Sequence, residues 1–598
     1  MNRPVSIQQA FQIAVQQHQE GRLSEAESLY RQIVGAQPGH ADAFHMLGIV
    51  LSQLGRKVEA IEAFGIAISL NPNAPDFRAN LAAALAAQQQ VDAAVREFRA
   101  ALAMKPDWPE VINNLAKALK SQGNFDDAIA TFRQAIKVRP TLADSHVNLG
   151  DALLDVGKLD DAIACYRRAM TVNTDSRFAS RLVYALHLHP DATPKRLYEA
   201  ALRWTQTRTE TITVQVPIHR NDPTPTRRLR IGYVSGDFRE HEQACRILPL
   251  LANRDRAAFE VFCYSNQREP NTVTEKFLAQ VDGWRDIAMI TDAQAAELVT
   301  ADKIDILVDL DSHGPQNRLT LFMRKPTPIQ VTGFAYPGTS GLETVDYRIT
   351  DARLEAPSSN GAFYCESPII LNRSAFCVDR PPVDVAIGAL PATRNGFITF
   401  GWAGDYARVT RTTLDLWAGV LGKIDRSRMI IATPHGTARE QLLADLGARG
   451  IAAEGIELRD PLSTGERLTF WNAIDICLDT APWNSALTSI DALWMGVPVV
   501  TLAGQTGVSI IGRSLLASAG LGDFAAETPE QFVHIASDAA GDIGRLTKMR
   551  SKLRAQIDAS PLMDAKGFTR DVESAFKRTW QTWCEAQRGI GVARASAG

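Results

Sequence analysis

Signals for disulfide bonds and for zinc sites are scarce in this sequence. Its 598 residues include only seven cysteines, and no two of them form a CxxC pair. Isolated cysteines in a long chain are typical of reduced, mostly buried thiols in a cytoplasmic protein. No apolar run approaches the roughly 20 residues that a membrane-spanning helix needs, and the N-terminus lacks the apolar block of a signal peptide. We therefore expect a cytoplasmic protein with no membrane partner.

The sequence also lacks an excess of positive or of negative charge. The chain has 64 basic and 67 acidic residues, for a formal net charge of −3. Because there is no basic stripe, we expect no nucleic-acid partner. Hydrophobic residues make up 45% and charged residues 22%, which is ordinary globular composition. A chain of this length is too long to fold around a single hydrophobic core, so the sequence predicts several domains.

The first third of the chain contains a 34-residue repeat. The register repeats a proline, an alanine and an aromatic residue: Pro38, Pro72, Pro106 and Pro140; Ala26, Ala60, Ala94, Ala128 and Ala162; Tyr30, Phe64, Phe98, Phe132 and Tyr166. A small alanine lets paired helices approach, the aromatic residue fills the adjacent space, and the proline ends the second helix. This period resembles the tetratricopeptide repeat and predicts an α-solenoid of about five repeats over residues 1–176.

An asparagine recurs in the same register, at Asn80, Asn114 and Asn148. In tetratricopeptide arrays this position lies on the first helix of each pair and faces the inner groove. A side-chain amide can bond both the N–H and the C=O groups of an extended peptide. The resemblance thus implies that these residues bind an acceptor protein or peptide. The alternative is a solvated polar position that only spaces the helices.

After Thr174 the 34-residue period ends, and residues 177–226 are expected to form a capping helix pair and a linker. From Leu229 onward, short β-branched runs alternate with helical stretches. The runs that read as buried parallel strands are LRIGYVSGD, FEVFCYS, IDILVDLD and IQVTGFAYPG, then GFITFGW, RMIIATP, IDICLDT and VPVVTLAG. We therefore expect two Rossmann-like lobes, over residues 227–385 and 386–598, with the C-terminal helix in the second lobe.

Polar loops follow several of these strands. They are Gly236–His241, Asp311–Arg318, Tyr336–Gly341 and Ala481–Thr488. In open parallel sheets, ligands bind beyond the carboxyl ends of the strands, so these loops are the expected site. The last loop leads into a predicted helix, whose free N–H groups and positive dipole end suit a diphosphate.

The motifs VSGDFREH, LFMRKPTPIQVTGFAYPGTSG, VDYRITD, DICLDTAPWN and DALWMGVPVVTLAG carry a specific resemblance. They resemble the catalytic region of the O-linked N-acetylglucosamine transferase family, which includes the SPINDLY-type fucosyltransferases. The resemblance spans about residues 229–585, and the preceding repeats are also typical of that family. It implies a GT-B fold and inverting transfer of a sugar to a Ser or Thr hydroxyl, without metal or other cofactor. A UDP-sugar, most simply UDP-N-acetylglucosamine, is the implied co-substrate, with a GDP-sugar as the alternative.

The resemblance also assigns two catalytic candidates. His241 stands where the family has a histidine facing the reactive end of the donor, and an imidazole can order the acceptor or accept its proton near neutral pH. Without its motif, this histidine would be read as structural. His313, in the loop after IDILVDLD, is expected to hydrogen-bond sugar or acceptor, or else to be structural. Asp309 and Asp311 form a DxD pattern, but the implied fold needs no metal there.

The implied donor-binding residues are Arg408, Asn484, Thr488, Asp491, Tyr336, Gly338 and Thr339. Asp491 matches the acidic residue that accepts hydrogen bonds from the ribose hydroxyls. Arg408 occupies the place of a family lysine that neutralises the β-phosphate, and its planar guanidinium requires a different geometry.

The phosphate region departs from the family pattern at several positions. Asp405 adds a negative charge, Ser485–Thr488 has fewer side-chain donors, and Ile510 replaces an arginine. Each lost charge-assisted contact is worth about 1.5–3 kcal/mol. Two hypotheses therefore remain. One is an active protein O-glycosyltransferase whose repeats hold the acceptor; the other is a catalytically impaired pseudoenzyme that acts as an interaction scaffold.

Overall fold

The computed structural model describes residues 6–173, 176–209, 217–241, 243–268, 270–334, 336–355, 361–381, 383–463 and 465–595. The chain forms two compact units. The first comprises residues 1–156 with the short segments 171–173 and 435–437, and the second comprises the remaining residues. The first helix after Val156, which the repeat pattern assigns to the fifth repeat, is thus grouped mainly with the second unit. In the described part of the chain, no helix is both long and apolar enough to cross a membrane.

The first unit is a series of antiparallel helix pairs. Its helices are α1 (Ile7–Gln19), α2 (Leu23–Ala36), α3 (Ala41–Gln53), α4 (Lys57–Leu70), α5 (Pro75–Ala87), α6 (Val91–Met104), α7 (Pro109–Ser121), α8 (Phe125–Val138) and α9 (Ala143–Asp155). The repeated alanine and aromatic positions are buried, as Ala60 (0% exposed) and Phe64 (2% exposed) illustrate. Helices α2 and α4 end two residues before Pro38 and Pro72, as the pattern predicts.

The turns within the helix pairs require a left-handed backbone. Gly21, Gly55 and Gly123 each have φ of +77°, a region that L-residues with a Cβ adopt only with strain. Gln89 takes the glycine position in the third repeat and keeps the left-handed conformation, with φ of +59°. The helix pairing imposes this conformation, because the residue at the turn must reverse the chain direction in a single step.

The second unit begins with α10 (Leu159–Val172), α11 (Ser176–Leu186) and α12 (Pro194–Thr209). Its first lobe contains β1 (Leu229–Ser235), α13 (Ala244–Ala252), β2 (Phe259–Ser265), α14 (Thr272–Leu278), β3 (Gly283–Asp286), α15 (Asp292–Ala301), β4 (Ile306–Asp309), α16 (Leu319–Phe322), β5 (Ile329–Thr332), β6 (Tyr347–Asp351) and β7 (Ser367–Leu371). The seven strands are parallel, in the order β3-β2-β1-β4-β5-β6-β7. The order reverses direction between β1 and β4, which is the switch point of a Rossmann-like sheet.

The second lobe repeats this plan around a six-stranded parallel sheet, in the order β10-β9-β8-β11-β12-β13. Its elements are α17 (Pro391–Asn395), β8 (Thr399–Trp402), η1 (Tyr406–Arg408), α18 (Arg411–Leu421), β9 (Arg428–Ala432), α19 (Thr437–Gly447), η2 (Ala453–Gly455), β10 (Ile456–Arg459), η3 (Thr469–Ala473), β11 (Ile476–Leu478), α20 (Ala486–Trp494), β12 (Val499–Leu502), η4 (Gly507–Ser509), α21 (Ile511–Ser518), η5 (Gly522–Phe524), β13 (Ala525–Ala526), α22 (Pro529–Gly541), α23 (Ile543–Asp558), η6 (Pro561–Met563) and α24 (Ala565–Ala595). Its switch point lies between β8 and β11. The predicted fold class, an α-solenoid followed by two Rossmann-like domains, is confirmed.

The C-terminal helix corrects one predicted boundary. The sequence interpretation placed it in the second lobe, but α24 contributes Phe568, Phe576 and Trp580 to the buried core of the first sheet. These apolar side chains recur on one face of the helix, and that face covers strands β1, β2 and β5. The chain therefore returns to its first lobe after completing the second.

Candidate active site

The second lobe brings two polar loops together at its switch point. Strands β8 and β11 are neighbours in the sheet, so the loops that follow them meet at the same edge. The first loop leads into η1, which ends at Arg408, and the second leads into α20. The Nη1 atom of Arg408 lies 3.5 Å from the carbonyl oxygen of Asn484 and 3.4 Å from the Oγ of Ser485.

The start of α20 is held open toward this junction. Ser485 is the N-cap residue, but its side chain makes no capping hydrogen bond to the helix. Instead, its own N–H donates to Oδ1 of Asp479 at 2.9 Å. The N–H groups of the first helical turn therefore keep their positive end directed at the junction. Burial raises the pKa of the Asp479 carboxyl to about 6, although its backbone and Thr501 hydrogen bonds favour the ionised form.

Aromatic side chains from both lobes surround Arg408. The guanidinium of Arg408 is 5.2 Å from the ring centroid of Trp483. The Trp483 ring in turn packs against Tyr336 of the first lobe, with centroids 5.2 Å apart, and against Tyr184 of α11, at 5.0 Å. His187 lies 4.8 Å from the Tyr336 ring, and burial lowers the pKa of this histidine to about 4. A neutral imidazole therefore supports the Tyr336 ring.

Gly338 is required by close packing in this cluster. A Cβ at this position would lie 2.7 Å from Cε2 of Tyr336 and 3.0 Å from Nε2 of His187. The prediction placed Gly338 and Thr339 in the donor site because glycines let the backbone approach a ligand. In the structure, the space beside Gly338 is filled by the protein's own aromatic rings, so the glycine serves packing.

A residue that the sequence interpretation missed, Glu366, fixes the same loop. Its carboxylate accepts hydrogen bonds from Oγ1 of Thr339 at 2.8 Å and from the N–H of Ser340 at 2.7 Å. Glu366 is 4% exposed, and burial raises the pKa of its carboxyl. The Thr339 hydroxyl thus already donates its hydrogen bond to Glu366. A lone glutamate beside the strand run SPIIL carried no signal for this role, because its partner loop lies 26 residues earlier.

Asn484 and Thr488 also use their side chains within the protein. The Asn484 amide is fully buried; it donates to the carbonyl oxygens of Thr480 and Leu502 and accepts from the N–H of Gly512. The Thr488 hydroxyl donates to the carbonyl oxygen of Ala403 at 2.8 Å. Both residues therefore tie the junction loops together, and their predicted contacts with a donor stay predictions.

Asp491 lies one helical turn farther along α20. Its carboxylate is 2% exposed, and its Oδ2 lies 2.5 Å from Nε of Arg467. Burial raises the pKa of Asp491 to about 7, while the adjacent Arg467 opposes this shift. Arg467, whose side chain is 36% exposed, covers the carboxylate on the solvent side. The sequence interpretation did not include Arg467, because it lies 24 residues earlier, in a loop without a recognisable motif.

The described residues around the junction form an interlobe cleft. It is lined by Cys245, Arg246, Tyr336, Phe376, Val378, Arg408, Trp483, Asn484, Ala486, Leu487, Ile490 and Ile511. Arg246 and Arg408 face it from opposite lobes, and no carboxylate is among these lining residues. Such a site favours a ligand that is anionic at one end and has flat or apolar parts at the other.

Comparison with known proteins identifies the family. The sequence profile of glycosyl transferase family 41 matches residues 205–382 and 395–572, and a tetratricopeptide-repeat profile matches residues 17–65, 45–109 and 113–176. The chain belongs to glycosyl transferase family 41. This assignment agrees with the two Rossmann-like lobes and with the cleft between them.

Named relatives of this family 41 chain agree with the assignment. It is 33% identical over 423 residues to the probable UDP-N-acetylglucosamine–peptide N-acetylglucosaminyltransferase SPINDLY of Hordeum vulgare, covering 69% of this chain and 45% of the relative. It is 25% identical over 372 residues to the corresponding probable transferase SEC of Arabidopsis thaliana, covering 60% and 38%. The chain thus spans less than half the length of these curated relatives. A solved mutant of the Thermobaculum terrenum O-GlcNAc transferase superposes with a TM-score of 0.80 at 34% identity, covering 86% of this chain and 98% of that one.

The two predicted catalytic histidines occupy different environments. His241 is exposed in the loop between β1 and α13, with its Nδ1 3.6 Å from Oδ2 of Asp237. His313 is fully buried; its Nε2 lies 3.0 Å from the carbonyl oxygen of Ser340, and its Nδ1 lies 3.4 Å from the Oγ of Ser180. Burial lowers the pKa of His313 to about 3. Both ring nitrogens thus have neighbours inside the lobe, and the expected contact of His313 with sugar or acceptor stays a prediction.

The two carboxylates of the DxD pattern accept hydrogen bonds from other loops of the first lobe. Asp309 accepts from Oγ1 of Thr332 at 3.0 Å and from the N–H of Ser312, and burial raises the pKa of its carboxyl to about 6. Asp311 accepts from Oγ of Ser235 at 2.6 Å and from the N–H of Gly236 at 2.8 Å. These two carboxylates thus tie the loops after β1, β4 and β5 together. Among the described residues, no group of three or more His, Cys, Asp or Glu side chains is arranged to hold a metal ion.

The asparagine register in the first unit is partly buried. Nδ2 of Asn80 lies 2.7 Å from Nε2 of His45, and Nδ2 of Asn148 donates to Oδ1 of Asn113 at 3.0 Å. Each of these bonds joins one repeat to the repeat before it. Asn114, the third member, is also partly buried. Two of the three asparagines therefore make inter-repeat contacts, and the use of the register as a peptide site stays a prediction.

Proposed function

We propose that this protein transfers a sugar from a nucleoside-diphosphate donor to a Ser or Thr hydroxyl of an acceptor protein, with UDP-N-acetylglucosamine as the expected donor. The observation that carries the proposal is the buried guanidinium of Arg408 at the open N-terminal end of α20. This pair lies at the switch point of a family 41 lobe, where a parallel sheet offers its ligand site. The family's named relatives support the same class of donor.

The phosphates of the donor would lie at this pair. As the bond between the sugar and the diphosphate breaks, negative charge grows on the departing phosphate. The Arg408 guanidinium and the first N–H groups of α20 are fixed in place before the reaction, so they stabilise that charge without reorganising. Trp483 and Tyr336 cover the pair with apolar rings and reduce its exposure to water, which strengthens the electrostatic interaction.

The sugar acceptor would approach from the first lobe. His241, whose imidazole is accessible at the loop after β1, is the proposed group that orders the attacking hydroxyl and accepts its proton. Asp491 is the proposed acceptor for the ribose hydroxyls, and Arg467 must shift aside or share the carboxylate when ribose binds. The asparagine register of the repeats is the proposed grip on the backbone of the acceptor protein.

Calorimetric titration of the full chain with UDP, and in parallel with GDP, tests the proposal. We expect micromolar binding of UDP and weaker binding of GDP. Incubation with UDP-N-acetylglucosamine and a protein mixture should then add an N-acetylhexosamine to Ser or Thr residues, detected by mass spectrometry. Absence of binding by either nucleotide at millimolar concentration would rule out this donor class.

A second candidate function is an interaction scaffold without transfer. It is favoured by the internal use of the Asn484 and Thr488 side chains, which leaves the phosphate site to one arginine and to backbone groups. The same titration separates the two functions. A scaffold would bind neither nucleotide, whereas peptide binding by the repeats would persist and would fall when Asn114 is replaced by alanine.

A further inference from the structure

The switch point of the first lobe has a large polar cavity of its own. Loops after β1, β2, β3 and β4 enclose about 800 Å³, and residue Arg177 of α11 completes the wall. We call this cavity the arginine crevice. Its lining residues are Arg177, Arg239, Asn266, Gln267, Arg268, Ala288, Ile290, Thr291, Asp292, Pro315, Gln316, Asn317, Arg318 and Thr320. None of them lines the interlobe cleft.

The arginine crevice is strongly cationic. Four arginines line it, and Asp292 is the only acidic residue among the lining residues that the structure describes. The whole chain carries a net charge of −3, so this concentration of positive charge is a local feature. A concave site of one sign raises the local concentration of ligands of the opposite sign.

One of the four arginines, Arg318, is held in place by hydrogen bonds within its own lobe. Arg318 is 10% exposed and donates to Asp292, to Oδ1 of Asn266 at 2.9 Å and to the carbonyl oxygens of Ile287 and Ile290. These bonds join the loops after β2, β3 and β4. Its guanidinium neutralises Asp292, so the one acidic lining residue is already compensated.

The remaining three arginines lie nearer to solvent around the wall. Arg177 and Arg268 are exposed, and the Arg239 side chain is 36% exposed. Arg239 donates to Oδ1 of Asp237 from Nε at 3.3 Å and from Nη2 at 3.2 Å. Exposed guanidinium groups around a cavity can bind carboxylates or phosphates in bidentate geometry.

The lining also restricts the class of ligand. Among the described residues, no aromatic side chain lines the crevice to offer a surface on which a nucleobase or a sugar ring would stack. Its size and open polar wall suit several consecutive side chains of an extended polypeptide. Arg239, in the loop after β1, lines the crevice, and His241 follows it two residues later in the same loop.

We propose that the arginine crevice binds an acidic segment of the acceptor polypeptide, carrying Asp, Glu or phosphorylated side chains, a few residues away from the hydroxyl presented to His241. The identification of the ligand as an acceptor rests on the proposed function. The anionic chemistry of the site stands on the crevice itself. Acceptor choice is then set in part by charge, beyond any grip on the peptide backbone.

Fluorescence anisotropy with the full chain tests this proposal. Three labelled peptides share one neutral frame around a single Ser: one carries four Asp residues, one carries two phosphoserines, and one carries Asn at the same positions. We expect the Asp and phosphoserine peptides to bind at least about 10-fold more tightly than the Asn peptide, with the difference shrinking at high salt. Binding of the phosphoserine peptide alone would narrow the ligand to phosphorylated segments.

Charge reversal at one wall residue supplies the matched comparison. Arg268→Glu should abolish the preference for the anionic peptides. Arg256→Glu is the control, because Arg256 is an exposed arginine at the opposite, amino-terminal edge of strand β2. Both variants should bind UDP as the wild-type protein does. Equal binding of all three peptides, or an unchanged preference in Arg268→Glu, would overturn the proposal.

The two proposals fail in different ways. If UDP does not bind but Arg268→Glu removes the anionic preference, the transferase function fails and the crevice stands as a binding site for acidic peptides. If UDP binds and the preference is absent, only the crevice proposal fails.

Discussion

The two Rossmann-like lobes differ at their switch points in the space available and in the side chains that surround the arginines. In the second lobe, the loops after β8 and β11 form a narrow junction of Arg408, Trp483 and the start of α20. In the first lobe, the loops after β1 and β4 open into the arginine crevice. Topology alone places a crevice at both points. The comparison shows that the backbone fixes where a ligand can bind, whereas the loop side chains decide which ligand fits.

One arginine at the switch point of each lobe shows the same contrast. Arg318 donates to four acceptors that belong to its own lobe, including a carboxylate. The Nη1 atom of Arg408 lies 3.4–3.5 Å from two uncharged oxygens at a helix start, and the side chain lines the interlobe cleft. We therefore expect loss of Arg318 to affect stability and loss of Arg408 to affect binding.

The largest expected effect is on nucleotide binding by the second lobe. Arg408→Glu should weaken UDP binding at least about 1,000-fold, equivalent to about 4 kcal/mol, because a carboxylate would then face the diphosphate. Arg408→Lys keeps the charge but loses the planar donor geometry, so about a 10-fold loss is expected. Calorimetry measures both.

The matched control for this change is Arg411→Glu, at an exposed position three residues later. It should leave UDP affinity unchanged. Equal losses in Arg408→Glu and Arg411→Glu would show that the affinity reports overall charge, and the assigned role of Arg408 would be wrong.

The next effect is on the stability of the first lobe. Arg318→Ala should lower the free energy of unfolding by about 3 kcal/mol, because it leaves Asp292 mostly buried without its ion-pair partner. Urea titration followed by tryptophan fluorescence measures the change. The double variant Arg318→Ala/Asp292→Asn should recover part of the loss, and Arg256→Ala should change little. If the double variant were no more stable than Arg318→Ala, the assigned role of the Arg318–Asp292 ion pair would be wrong.

Asp491 gives a pH-dependent test of the second lobe. Burial raises its folded-state pKa to about 7 from an ordinary value of 3.8. Between these values the folded state holds a proton that the unfolded state has released, so the contribution of Asp491 to stability falls as pH rises from about 4 to about 7. Asp491→Asn removes this dependence. The stability of the wild type relative to the variant should fall by on the order of 4 kcal/mol between pH 4 and pH 8, as measured by urea titration. A constant difference would contradict the raised pKa.

The smallest effect is expected at Gly338. Gly338→Ala places a methyl group against Tyr336 and His187 and should destabilise the protein by about 1–2 kcal/mol, through displacement of the rings. Gly447→Ala, at an exposed helix end with open space around it, is the control and should be neutral or slightly stabilising. Differential scanning calorimetry checks both. An unchanged transition in Gly338→Ala would show that the rings yield without cost.

The sequence by itself determined the repeats, the order of the two lobes and the location of the candidate site. The 34-residue period and the buried strand runs are local patterns, and local patterns specify secondary structure and its register. The loops at the carboxyl ends of the strands were identifiable for the same reason, whereas Arg408 and Asp491 were assigned by the family resemblance.

Only the tertiary structure decided which side chains remain available to a ligand. Asn484, Thr339 and His313 follow strands as expected, yet their polar atoms are bonded to groups up to 133 residues away in sequence. Arg467 and Glu366 became relevant through contacts of the same kind, and α24 returned to the first sheet to cover its apolar face. A polar side chain binds whichever partner the fold brings within about 3 Å. That partner is set by chain topology and packing, which no local pattern specifies.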